Sequence, residues 1–272
     1  MRLPSFVVVL ILVATTSALG QADQAPGRAY LALGDSVTFG FIANAGFEYV
    51  NPDNFIGFPN YIGQALKLND TNTACPGETT GSFLSSAAPD LGCQFFRSFA
   101  PLHVSYNSTQ LDFALSFLRS HPQTRLVTIS VGANDVFLLE AMCNGDPQCI
   151  AAGLPSIEGN LETILADLRD TGFHGTIVVM NYYSLDYTDA NGTGITVALN
   201  QSIAAAAARE GAVVADVFTA FQAAAGAAGG HTCMAGLLNA SSANQFTCDV
   251  HPSQSGHALI ARTIEQAFKA AP

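Results

Sequence analysis

The sequence predicts an α/β fold in which a central parallel sheet is covered by helices on both faces. Two observations carry this expectation. Short apolar runs that read as buried strands alternate with longer segments whose apolar residues recur at helical spacing. No Pro/Ser linker or shift in composition divides the 272 residues, which suits one large domain, expected over 27–272.

The elements follow in order. Residues 28–33, Arg-Ala-Tyr-Leu-Ala-Leu, read as a short buried strand that breaks at Gly34. Pro59 to Leu68 reads as a helix, and Thr71 to Ala74 as a weak strand. Ser108 to Ser120 carries Leu111, Ala114, Leu115 and Leu118 on one helical face, and Leu126 to Ser130 is a strand. The clearest helix is Pro155 to Arg169, where Ile157, Leu161, Ile164, Leu165 and Leu168 share a face. Thr176 to Met180 is a strand, Ile195 to Arg209 a helix, Ala212 to Ala215 a strand and Val217 to Ala225 a short helix. Ala223 to Gly230 is low in complexity and reads as a loose loop. The chain closes on a helix from Pro252 to Ala271, with the proline in its first turn. Strands alternating with helices of this length imply a parallel sheet with both faces covered.

Residues 1–20 read as a signal peptide rather than as part of the fold. Met1 and Arg2 supply the positive start, Phe6 to Ala14 the apolar centre, and Ala18 and Gly20 the small residues for cleavage near 20–22. The apolar run is short for a membrane span, so a secreted protein without a stable membrane anchor is expected. The net charge of −11 argues against nucleic acid, whose phosphates call for basic patches. Export permits disulfides. Sequential pairing would join Cys75–Cys93, Cys143–Cys149 and Cys233–Cys248, although six cysteines allow 15 connectivities. No Cys-x-x-C run or other metal-ligand spacing occurs, so neither a metal nor a cofactor is expected. Asn69, Asn107, Asn191, Asn200 and Asn239 each begin a glycosylation sequon.

Four segments carry groups for acyl-transfer chemistry. Ser36, in Gly34-Asp35-Ser36, follows the first strand at its carboxyl end, where open α/β sheets bind ligands. A serine there suits a helix N-cap, or a nucleophile if a base and an oxyanion hole converge on it. Gly77, in Cys75-Pro76-Gly77-Glu78, leaves a backbone N–H open to a substrate oxygen. Asn134, in Gly132-Ala133-Asn134-Asp135, carries a side-chain N–H that can face a developing oxyanion, while Asp135 reads as a cap of the following helix. His251, in Cys248-Asp249-Val250-His251-Pro252, lies on an expected loop and has the residue type of a general base near neutral pH. His103, His121, His174 and His231 read as solvated loop residues, and His257 as a structural residue of the last helix.

These four segments, in this order, resemble the SGNH/GDSL hydrolase family. The resemblance implies a flavodoxin-like three-layer α/β/α fold, Ser36 as nucleophile and His251 as base. It implies an oxyanion hole formed by the Ser36 and Gly77 N–H groups and the Asn134 side chain. One position departs from the pattern. The family commonly has Asp three residues before the histidine, where this chain has Cys248, and Asp249 stands two before. Either Asp249 orients His251 from a shifted geometry, or a backbone carbonyl near Cys248 does so. The local cysteine pattern is similar to that of extracellular bacterial lipases and esterases of the family. The expected function is a secreted serine esterase or lipase, acting as a monomer on a small-molecule or lipid ester. A polysaccharide O-acetylesterase and a non-catalytic binding module on the same fold are the alternatives. Tyrosines lining an open cleft would favour sugar, and a deep apolar slot would favour acyl chains.

Overall fold

The computed structural model describes residues 28–241 and 247–271. The expected signal peptide and its cleavage point lie outside these residues. Five strands, β1 (Ala29–Gly34), β2 (Asn69–Asn72), β3 (Leu126–Ser130), β4 (Thr176–Met180) and β5 (Val213–Ala215), form one sheet in the order β2-β1-β3-β4-β5. Every pairing is parallel. This is the flavodoxin-like order, and its topological switch lies between β1 and β3, where the chain changes its direction of travel across the sheet. β1 and β3 are wholly buried, as their unbroken apolar runs require.

The helices are α1 (Ser36–Phe39), α2 (Phe58–Leu66), α3 (Thr80–Leu84), α4 (Cys93–Phe99), α5 (Gln110–Ser120), α6 (Ala133–Cys143), α7 (Pro147–Asp170), α8 (Ala190–Arg209), α9 (Val217–Ala225) and α10 (Gln254–Ala270). α5, α7 and α8 pack in one group, and α2, α9 and α10 in another. These groups cover the two sheet faces, and Leu161, Ile164, Leu165 and Leu168 of α7 are fully buried in the main core. No helix among the described residues is long and apolar enough to cross a membrane. Disulfides join Cys75–Cys93, Cys143–Cys149 and Cys233–Cys248.

Several boundaries differ from the sequence expectation. β2 lies two residues earlier, because an edge strand made of Asn-Asp-Thr-Asn carries no apolar run to mark it. α7 begins at Pro147, where the Asp146 side chain accepts the Gln148 N–H, and Pro155 lies inside the helix rather than at its start. Pro155 and Ala151 both sit on an exposed face, so water can solvate the carbonyl that proline leaves unpaired. α8 starts at Ala190, capped by Asp189. Residues 226–228 form a 3-10 turn instead of a loose loop. Pro252 ends a strand, β7 (Cys248–Pro252), which pairs antiparallel with β6 (Leu238–Ala240), and Ser253 caps α10. His251 is therefore on a short strand, not on a loop.

Candidate active site

Ser36 follows β1 directly. Gly34 has φ +144°, and a Cβ there would meet the Ser130 carbonyl oxygen at 2.3 Å, so the tight exit from the strand requires glycine. The helix cap is Asp35, not Ser36: its Oδ1 accepts the Val37 N–H at 2.9 Å. Ser36 is thus the first helical residue, and capping leaves its hydroxyl free. Asp35 is buried, and its Oδ2 accepts the Tyr182 hydroxyl at 2.6 Å. Burial pushes its pKa up to about 6, against the lowering effect of the hydrogen bonds from Tyr182 and Val37.

Gly77 has φ +88°, and a Cβ would lie 2.4 Å from the Leu91 carbonyl oxygen. The position therefore excludes a side chain and bares its amide. Among the described residues nothing accepts the Gly77 N–H. Asn134, on the first turn of α6, donates from Nδ2 to the Glu78 carbonyl at 2.8 Å. That bond uses one of its two amide protons and fixes the side chain beside the Gly77 turn. Asp135 is not the helix cap, which is Gly132. Its carboxylate accepts the Thr80 N–H at 2.8 Å and the Thr80 hydroxyl at 2.6 Å, tying α6 to α3. Two buried residues complete this region: Glu78, which precedes the Thr79 cap of α3 rather than lying in a first helical turn, and Gln110, which the sequence reading passed over; their Oε2 and Nε2 are 2.9 Å apart. Burial pushes the Glu78 pKa up to about 7, against the hydrogen bonds from Ser82 and Gln110.

The other wall holds His251 and Asp249. His251 Nδ1 lies 3.0 Å from Asp249 Oδ1, which also accepts the His251 backbone N–H. Asp249 Oδ2 accepts the Ala43 N–H at 3.3 Å, from the loop that follows α1. Burial alone would raise the Asp249 pKa, but the side-chain and backbone hydrogen bonds from His251 hold it below the ordinary carboxylate value. The Phe41 ring packs on the imidazole with centroids 4.9 Å apart.

Ser36, Gly77, Asn134 and His251 line one cleft of about 780 Å³. Asp249 stands behind His251. Ser36 and His251 are not hydrogen-bonded to each other among the described residues; such bonds often tighten only when substrate is bound. Leu91, Phe96, Val136, Phe137, Ile195 and Leu199 make most of the cleft wall apolar. Outside it, His103 is half-buried rather than solvated, its Nε2 3.0 Å from the Phe39 carbonyl. Cys75, Glu78 and Cys93 bring potential metal-ligand atoms together, but both sulfurs are joined in a disulfide and offer no thiolate.

Solved structures with this architecture include an acetylxylan esterase from Geobacillus stearothermophilus. It is 16% identical, with a TM-score of 0.56 over 89% of this chain and 94% of its own. A phospholipase A1 from Streptomyces albidoflavus is 19% identical, with a TM-score of 0.56 over 89% of this chain and 100% of its own. At such identities the likeness speaks for the fold alone. No curated protein matches the sequence. The model of the GDSL-like lipase/acylhydrolase family matches residues 32–259, a span that runs from β1 into α10 and holds every segment gathered at the cleft. The chain belongs to that family of ester hydrolases.

Proposed function

We propose that the protein is a secreted carboxylic ester hydrolase with an apolar acyl site, working through Ser36, His251 and Asp249. The observation that carries this reading is the convergence on one cleft of an uncapped serine, a carboxylate-paired histidine and open N–H donors. His251 takes the Ser36 proton as Oγ attacks the ester carbonyl carbon. The tetrahedral oxyanion is held by the Ser36 and Gly77 N–H groups and the second amide proton of Asn134. His251 then gives its proton to the leaving alcohol, and water, activated by the same imidazole, releases the acid. Asp249 keeps Nδ1 protonated, so that Nε2 faces Ser36 as the base.

The tyrosines of the cleft support an acyl substrate over a sugar. Tyr182 spends its hydroxyl on Asp35, Tyr183 on the Val250 carbonyl and Tyr49 on the Ile42 carbonyl. Their rings line the cleft while their polar ends are occupied, so they act there as apolar surface. Secretion is supported by the leader-like sequence at residues 1–20 and by the three disulfides. A p-nitrophenyl ester panel, read together with fluorophosphonate labelling, tests the proposal. Hydrolysis rising from acetate to longer chains, with labelling lost in Ser36→Ala, is expected. Full-rate labelling of that variant would discard Ser36 as the nucleophile.

A further inference from the structure

Gln110 is the first residue of α5, lies 76 positions from Gly34, and does not line the cleft. Its side chain nevertheless spans the two segments on which the proposed oxyanion hole depends. Oε1 accepts the Gly34 N–H at 2.6 Å, and Nε2 donates to the Gly34 carbonyl at 3.0 Å. The amide thus pairs with both backbone groups of Gly34, two residues before Ser36, much as a neighbouring strand would. The same Nε2 donates to Glu78 Oε2 at 2.9 Å. Glu78 follows Gly77, and its own carbonyl receives Asn134 at 2.8 Å.

On the other side of Gly77, the Cys75 N–H donates to the Gly34 carbonyl at 3.0 Å. Gly77 is therefore held to the end of β1 from both flanks, directly through Cys75 and through Gln110 at Glu78. Both Gln110 and Glu78 are almost fully buried, at 1% and 3% exposure, where a hydrogen-bonded pair is rigid and its loss is costly.

We propose that Gln110, acting through Glu78, is a positioning residue that sets the separation of the Ser36 and Gly77 N–H groups and the aim of Asn134. This rests on the esterase reading above. It assigns Gln110 no contact with substrate. Its influence falls on the transition state, because only there does a full oxyanion need all three donors at hydrogen-bond distance.

The test uses Gln110→Met, similar in length but with no donor and only a weak sulfur acceptor, with Glu78→Gln and Glu78→Leu beside it. With p-nitrophenyl butyrate, Gln110→Met should lower kcat by about 10- to 100-fold, the scale of a small misplacement at a reacting centre, and leave KM within about twofold. Affinity for butaneboronic acid, a tetrahedral mimic, should fall by a similar factor, while affinity for the butyrate product stays. Glu78→Gln, which keeps an acceptor for Gln110, should retain kcat within about threefold. Glu78→Leu should resemble Gln110→Met, and the double variant Gln110→Met/Glu78→Leu should lose no more than either alone.

A folded Gln110→Met with wild-type kcat, or with boronate and butyrate affinities reduced alike, overturns the proposal. If Gln110→Met does not fold, the Glu78 pair decides: equal kcat in Glu78→Gln and Glu78→Leu overturns it. A wild-type protein inert to every ester would remove the esterase reading and this proposal together. An active wild type with an unaffected variant removes this proposal alone.

Discussion

Asp249 meets His251 twice with the same oxygen: Oδ1 lies 3.0 Å from Nδ1 and also accepts the backbone N–H. A spacing of two residues, one shorter than the family's common pattern, thus still brings the carboxylate to the ring. It does so because both residues lie on β7, whose extended backbone carries their side chains on one face. The Ala43 N–H steadies the second oxygen. Of the two groups the sequence left open, the carboxylate is the one that touches the imidazole. Asp249→Asn should therefore lower kcat by about 10²- to 10⁴-fold, towards the loss known for a buried triad acid. Ester turnover at saturating substrate measures this, and a loss of only a few-fold would return the orienting role to a carbonyl.

The donors make a second prediction. On the proposed mechanism, Asn134→Ala removes one oxyanion donor and should cost about 10²- to 10³-fold in kcat, with labelling by a fluorophosphonate slowed but present. Gly77→Ala should be worse for the fold. Its Cβ would collide with the Leu91 carbonyl, and its backbone would have to hold φ +88°. A lower Tm together with lost activity is expected, at a cost of about 1–3 kcal/mol from the strained backbone alone.

Stability against pH should show two opposed contributions. His257 is buried on α10 with neither ring nitrogen hydrogen-bonded among the described residues, and burial lowers its pKa to about 3. The unfolded chain therefore takes up a proton near its ordinary value of 6.5 that the folded protein refuses. Stability from this group is complete above about pH 6.5 and falls as pH drops towards 3. Glu78 has the opposite sign. Its folded value of about 7 lies above the ordinary 4.5, so its contribution is complete below 4.5 and is lost as pH rises through 7. Each group has a limiting slope of about 1.4 kcal/mol per pH unit. Between pH 5 and 6, His257→Leu should tilt the stability profile towards acid, and Glu78→Gln should tilt it towards base. Denaturant melts across that range check both signs, and identical slopes in all three proteins would refute the argument.

The apolar wall offers a prediction about chain length. Ile195 lines the cleft from α8. Ile195→Trp should fill part of it and lower kcat/KM on octanoate or decanoate esters by about tenfold, while leaving acetate turnover within about threefold. An equal loss across the panel would show that the acyl chain lies elsewhere.

Much of the fold was legible because its strands are simple. β1, β3 and β4 are apolar runs buried within the sheet, so composition alone marks them. The short helices α1, α3 and α4 were not, since four to seven residues hold too little periodicity to register. β7 was read as loop because Cys-Asp-Val-His-Pro has no apolar alternation; it owes its form to pairing with β6. At the cleft, Ser36, Gly77, Asn134 and His251 were legible from their motif segments. Asp35 as cap, Asp135 as a tie to Thr80, and Gln110 were not. Asp35 caps through Val37 only two positions on, but its bond from Tyr182 spans 147 positions; Asp135 reaches Thr80 across 55, and Gln110 reaches Glu78 across 32 and Gly34 across 76.

The hairpin of β6 and β7 has one more consequence. It stands apart from the five-stranded sheet, and the Cys233–Cys248 bond fastens its strand β7 three residues before His251. The five-stranded sheet carries Ser36 at its switch point, and Leu237 and Leu238 at the hairpin pack into the same core. With the cysteines reduced, His251 should thus keep its contacts with Asp249 and Phe41 but lose the covalent tie of its strand. On the proposed function, oxidation would then be the step that completes the site. A Cys233→Ser/Cys248→Ser variant should accordingly lose most turnover while its far-ultraviolet spectrum stays native. Undiminished activity in that variant would show that the hairpin holds His251 without its covalent tether.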